Sequence, residues 1–235
     1  MTVLTTSPYA WENWVSYFKD FPIFFQGFLF TLAISVGAFI MAMFLGIVFG
    51  SLSSSKNKVL KIIARVYVEY YQNTPLLVQF MIVYYGLPLI SNYVLMPSIY
   101  WTAVICVGLY HGAYIAEVIR AGIEAVPTGQ TEAALSQGFT QSETMRIIIL
   151  PQAIRKMLPA IISQIVTVIK DTSFLYSVIA LQELFGSSQI LMGRYFEAEQ
   201  VFALYIMVAL IYFSINFAIS SLSRYVAKSW ASSIE

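Results

Sequence analysis

The sequence predicts an all-α integral membrane protein: five transmembrane helices in a single domain over residues 1–235, with a short polar helix on the cytoplasmic face between the third and fourth. Three observations predict it. Hydrophobic residues make up 59% of the chain and charged residues only 11%, against roughly 25% charged in an ordinary soluble domain. Mean hydropathy is +0.74. Apolar stretches of about 20 residues or more recur along the chain, the length a helix needs to cross the hydrocarbon layer.

Five stretches meet that length: Ile23 to Leu52, Ile62 to Ile90, Ile99 to Ile119, Met157 to Ala180 and Phe202 to Leu222. An odd number places the termini on opposite sides. Lys56, Lys58, Lys61 and Arg65 lie between the first two spans, Arg120, Arg146, Arg155 and Lys156 around the long third connection, and Arg224 and Lys228 in the tail. The opposite side holds only Lys19 and Arg194, so the positive-inside rule predicts the amino terminus outside and the carboxyl terminus in the cytoplasm. Trp11, Trp14, Tyr93, Tyr100, Trp101 and Trp230 fall where headgroup anchors belong. Ala38, Ala42, Gly46 and Gly50 in the first span, and Gly108, Gly112 and Ala116 in the third, recur at four-residue spacing. Such stripes let two helix backbones approach closely.

Composition also excludes function classes. A net charge of +1 with dispersed cations lacks the basic surface that nucleic-acid binding requires. One cysteine, Cys106, and one histidine, His111, supply neither a disulfide nor a His/Cys metal cage, and His111 reads as a hydrogen-bonded packing residue. No GxSxG or HExxH pattern occurs, which argues against an enzyme and leaves no catalytic residue to name. No phosphate-cradling GxxxxGK[ST] loop occurs either, so energy for pumping must enter through a partner. The first twenty residues lack a basic n-region and a small-residue cleavage site, which predicts retained spans rather than a removable signal.

The segment Glu124 to Pro151, EAVPTGQTEAALSQGFTQSETMRIIILP, is too polar to span and too patterned for a disordered loop. Pro127 stops the preceding helix, and Thr128 or Thr131 is placed to cap the next. Glu132 sits near that helix's N-terminus, where negative charge is favourable. Gly138 ends it, as glycine does beyond a helix C-terminus, and Pro151 marks the turn toward the membrane. The reading is a short exposed helix within about residues 128–140, suited to a groove on a soluble partner.

Glu132, Ala133, Ala134, three residues, Gly138, nine residues, Ile148, one residue, Leu150 and Pro151 together resemble the EAA signature of permease subunits of type I ATP-binding-cassette importers. The stretches NTPLLVQ (Asn73 to Gln79), AYIAEVIRAGIEAVP (Ala113 to Pro127), LPQAIRKMLPA (Leu150 to Ala160) and KDTS (Lys170 to Ser173) resemble the polar amino-acid uptake branch, over about residues 20–225. The resemblance implies a permease subunit of an ATP-driven amino-acid importer that forms half of the translocation path. It makes the polar helix a coupling helix, with Glu132, Ala133, Ala134 and Gly138 as its coupling residues. It implies two ABC ATPase subunits, which bind ATP and magnesium; this chain itself carries no cofactor and no metal. A second permease subunit, identical or related, an extracytoplasmic amino-acid-binding protein and membrane lipids complete the partners, with no nucleic acid, in a prokaryotic cytoplasmic membrane. Two departures stand out: Gln72 and Asn73 replace an Arg-Gly pair common before TPLLVQ, and the polar LSQ follows EAA.

Ionisable groups inside spans are costly and are functional candidates by default. Asp171, in a polar break after a run of apolar residues from Met157, and Glu117 are the acids suited to a solute's ammonium. Alternatively, Glu117 pairs with Arg120 and Asp171 with Lys170. Thr172 and Ser173 add hydroxyls, and Gln79 offers an amide. In the resembled branch, positions matching these acids and the adjoining Thr-Ser contribute to a site inside the membrane where one exists. Helix rise places Glu117 near the inner boundary and Asp171 in the outer half, so the two acids need not share one ligand. Glu69 reads as an ion-pair partner of Arg65. The expected solute is a glutamine-like or basic amino acid. The alternative is an ion-coupled transporter or channel for small polar solutes.

Overall fold

A computed structural model describes residues 11–231 apart from 56, 196 and 197. Lys56 and residues 1–10, with their part of the retained-span reading, lie outside the described residues, as do the side chains of Trp14 and Trp230. The described chain is helical: α1 (Trp11–Ser53), α2 (Lys58–Asn73), α3 (Leu76–Ile90), α4 (Ile99–Glu124), α5 (Thr128–Ser136), α6 (Gln141–Ile179), α7 (Leu184–Met192) and α8 (Ala198–Ala231). Among the described residues α1, α4, α6 and α8 are long and apolar enough to cross a membrane, and α2 with α3 qualifies as one bent span.

That bend corrects the expectation of a continuous second span. The axes of α2 and α3 differ by 103°. Pro75 causes it: a residue before proline is pushed out of the helical region, and Thr74 takes an extended backbone (φ −114°, ψ 130°). Pro75 follows at φ −58°, ψ 134°. Two other prolines bend nothing sharply. Pro88 and Pro151 each lie two residues past a π-helical stretch, Ile82–Gly86 and Thr144–Ile149. Proline lacks an N–H and its ring crowds the carbonyl four residues back; a wider π turn accommodates both defects without ending the helix. Pro151 therefore does not mark a turn, and α6 runs through it.

The longest interface lays α1 along α4. The two small-residue stripes face each other there: a Cβ on Gly46 would run into Ile115, one on Gly50 into Ile119 and the Ala116 carbonyl, and one on Gly108 would stand 3.0 Å from Met41. Around this seam Ile34, Ala38, Leu76, Phe80, Val104, Val107 and Leu175 form the main core. A second core joins Ala42, Ile115, Ile119, Ala153 and Met157, and a third ties Tyr17 and Phe24 to Leu184, Leu191 and Leu204. The outer faces of α1 and α8 carry exposed Phe18, Phe25, Phe44, Phe202, Phe213 and Phe217, as a lipid-facing surface would.

Candidate functional site

Asp171 ends the straight part of α6, where a 3₁₀ turn, Thr172–Phe174, begins. One carboxylate oxygen, Oδ2, lies 3.1 Å from Nε2 of His111 on α4, and the other ring nitrogen lies 3.2 Å from Gln164 Oε1 on α6. The imidazole is 1% exposed, whereas the Asp171 side chain keeps 18% open. Beside it is a cavity of about 350 Å³ lined by Pro75, Leu76, Leu77, Tyr110, Asp171 and Phe174. The break between α2 and α3 thus supplies one wall, because the extended Thr74–Pro75 link turns the chain away. Asp171 is the charged member of this lining.

The other expected solute residues fall around and away from this cavity. Thr172 is fully buried, and its hydroxyl donates to the Ile169 carbonyl at 2.8 Å. Ser173 donates to the Lys170 carbonyl at 2.7 Å. Gln79 is 4% exposed and clasps the bend: its Nε2 donates to the carbonyls of Thr74 (2.9 Å) and Tyr71 (3.2 Å), while its buried Oε1 has no partner among the described residues. Glu117 lies elsewhere, paired with Arg120, which also pairs with Glu124. They line a separate cavity of about 320 Å³ with Ser53, Lys61, Arg65, Val68 and Glu69. Arg65 and Glu69 approach to 3.6 Å. No Lys170–Asp171 ion pair occurs among the described residues; the partner of Asp171 is His111. Pattern reading left His111 as a packing residue because its acid comes from a position 60 residues away.

Helix α5 carries Glu132, Ala133 and Ala134. Glu132 and Ala133 are exposed, while Ala134 is buried, on a helix that packs against the π stretch of α6. The N-terminal residue Pro127 gives no side-chain cap, so neither Thr128 nor Thr131 caps this helix. At its other end Gly138 takes φ +89°. The Gly138 N–H donates to the Leu135 carbonyl (3.0 Å) and the Phe139 N–H to the Ala134 carbonyl (3.2 Å), the paired bonds of a Schellman stop. A capping box then opens α6: Thr140 Oγ1 accepts from the Glu143 N–H (3.3 Å), and the Glu143 carboxylate accepts from the Thr140 N–H (2.8 Å). The T-x-x-E spacing carried that signal in the sequence. Lys156 donates to the Ala125 carbonyl at 2.6 Å, tying the incoming chain to α6.

Glu183 is a buried acid, missed because it sits in the connection after the fourth span. It opens α7 and is fully buried. Four donors close on its carboxylate: the N–H groups of Gly186 (2.7 Å) and Phe185 (3.0 Å), the Tyr212 hydroxyl of α8 (2.8 Å) and the Thr31 hydroxyl of α1 (3.2 Å). Nearby, Asp20 accepts from Arg194 and the Tyr195 hydroxyl, both at 2.8 Å. Burial first, then the Asp20 carboxylate, pushes the Tyr195 pKa up, so the hydroxyl stays a donor.

Comparison with known proteins agrees with this architecture. Residues 42–232 match the family described as the binding-protein-dependent transport system inner membrane component. The chain is 35% identical over 199 residues to a probable glutamine ABC transporter permease protein, GlnP, of Bacillus subtilis, covering 85% of this chain and 89% of that one. It is 38% identical over 215 residues to the L-cystine transport system permease protein TcyB of the same organism, covering 88% and 89%. A crystal structure of an amino acid ABC transporter with histidines superposes with a TM-score of 0.82 at 32% identity, covering 92% of this chain and 97% of that one. An inward-facing MetNI methionine ABC transporter shares the fold, with a TM-score of 0.69 at 17% identity. The chain belongs to the family of inner membrane components of binding-protein-dependent transport systems.

Proposed function

We propose that this chain is the permease subunit of an ATP-driven amino-acid importer, with α5 as its coupling helix and the cavity at Asp171 as its solute site. The relatives named above are permeases of glutamine and cystine systems, which supports this reading over the ion-coupled alternative. Five spans, with α2 and α3 as one bent crossing, leave the amino terminus outside and α5 in the cytoplasm with the surrounding Lys and Arg residues. A receptor outside delivers the amino acid, two ABC ATPases bind ATP and magnesium, and a second permease subunit supplies the other half of the path.

The observation that carries the coupling reading is the seat of α5. Glu132, Ala133 and Gly138 are exposed for a partner, while the helix packs on the π stretch Thr144–Ile149. From Ile149 the same helix runs on to Asp171, a rod of about 33 Å at 1.5 Å per residue. Displacing α5 therefore moves the far end of α6, where the solute's ammonium meets the Asp171 carboxylate. Transport against a gradient needs unequal stabilisation of the outward-facing and inward-facing states, and ATP-driven closure of the partner acts through this rod. Thr172 and Ser173 shape the turn beneath the carboxylate, Gln79 holds the bend that forms the cavity wall, and Glu117 lies on the inner cavity, on the exit side.

In proteoliposomes, Gly138→Asp and Glu132→Lys should each abolish ATP-driven uptake while leaving membrane insertion intact. Unchanged uptake in both variants would contradict the coupling role.

A further inference from the structure

The pairing of His111 with Asp171 and Gln164 has an unusual property: both charge states of the ring can be fully hydrogen-bonded with the same heavy atoms. With Gln164 Oε1 facing Nδ1 and the carboxylate ionised, both contacts are hydrogen bonds only if the ring donates from both nitrogens, as an imidazolium does. With the Gln164 amide turned over, its Nε2 donates to Nδ1, and a neutral imidazole still donates Nε2–H to Asp171. Neither partner is a backbone carbonyl that would hold one state.

The surroundings leave this pair in control of local charge. Helix α4 brings Tyr110 and Tyr114, whose hydroxyls pair at 3.0 Å. Helix α2 brings Tyr67 and Gln72, both spent on carbonyls of α4, those of Leu109 and Ala113. Helix α6 brings Gln164 and Asp171, with Lys170 exposed. Against Gly108 and Gly112 of α4, α1 presents Met41 and Leu45; from α3 the cavity is lined by Leu76 and Leu77. Among the described residues, no other charged side chain lines the cavity.

We propose that His111 is a specificity-setting residue of the importer: its charge state decides whether Asp171 offers the cavity a net negative charge or a neutralised pair. The inference rests on Asp171 being the solute group. With a neutral ring, the carboxylate is free to attract an ammonium. With a charged ring, the imidazolium already compensates the carboxylate and repels a second cation a few ångströms away. Imidazole is the side chain suited to such a change near neutral pH.

The test is direct binding of L-arginine, L-glutamine and L-cystine to the assembled importer without its receptor, from about pH 8 to about pH 5.5. The tightest of the three should weaken about tenfold or more toward acid in the wild type. In His111→Gln the profile should be flat and close to the alkaline wild-type affinity. Gln164→Leu, which removes the Nδ1 partner, should displace the transition by about half a pH unit or more, and it stands in if His111→Gln does not assemble. A wild-type profile without acid weakening, a His111→Gln profile that follows the wild type, or an unmoved transition in Gln164→Leu overturns the inference. Loss of binding in Asp171→Asn alongside any of these leaves the site reading intact. Full binding in Asp171→Asn, or no binding of any of the three solutes by the wild type, overturns both.

Discussion

Asp171 and Glu183 stand twelve residues apart in the chain at the two ends of one short stretch, and the fold surrounds them differently. Four donors close on Glu183, two of them backbone N–H groups of α7 whose direction is fixed by the helix. Asp171 meets one imidazole and keeps part of its side chain toward a cavity. A carboxylate offers about four lone-pair directions. At Glu183 Oε2 takes three donors and Oε1 one, from α1, α7 and α8, and the side chain is fully enclosed, so a ligand could enter only by breaking the junction of three helices. At Asp171 directions remain open toward the cavity. The difference separates an enclosed acid at a helix junction from a partly exposed acid that faces a cavity, although both are rare acids in an apolar chain.

The contrast breaks most easily at Glu183. Glu183→Ala strands two backbone donors and two hydroxyls, and each unsatisfied buried group costs about 1–3 kcal/mol. The expected result is the largest effect in the chain: little folded protein, or a thermal midpoint in detergent far below wild type. A midpoint within a degree or two of wild type would show that the four bonds carry no weight. Tyr212→Phe sharpens the comparison on a smaller scale. It removes one of the four donors and should cost about 1 kcal/mol, as interhelical hydrogen bonds in membranes generally do, measured by thermal unfolding with solute binding unchanged. A comparable loss of solute affinity would instead place Tyr212 and Glu183 within the transport path.

How much of this was legible in the sequence follows from the range of each interaction. The apolar spans, the stripes Ala38–Gly50 and Gly108–Ala116, the left-handed Gly138 and the pairs Glu117–Arg120 and Arg65–Glu69 all depend on neighbours within about a helical turn. Periodicity reads those directly. Asp171 was identified from its cost in a span, yet its partner was not, because His111 approaches from 60 positions away. Glu183 escaped because it lies in the connection after the fourth span, and its hydroxyl donors come from Thr31 and Tyr212, 152 and 29 positions away. The 103° bend falls in the polar run Gln72, Asn73, Thr74 and Pro75, where the step before proline carries the signal, while the length of the stretch from Ile62 to Ile90 suggests one unbroken span. The π stretch before Pro151 hid in the opposite way: that proline predicts a turn, and a wider helical turn absorbs it.

The account rests on Asp171 being the acid that meets the solute and Glu183 the acid that holds the helices. One side-by-side measurement separates them: amino-acid binding and thermal unfolding of the assembled importer carrying Asp171→Asn or Glu183→Gln. The account predicts that Asp171→Asn unfolds near the wild-type temperature and loses at least about tenfold in affinity, roughly 1.4 kcal/mol. It predicts that Glu183→Gln unfolds earlier but binds normally in the fraction that is folded. If Asp171→Asn binds as well as wild type, or Glu183→Gln alone loses binding, the assignment of the two acids is contradicted.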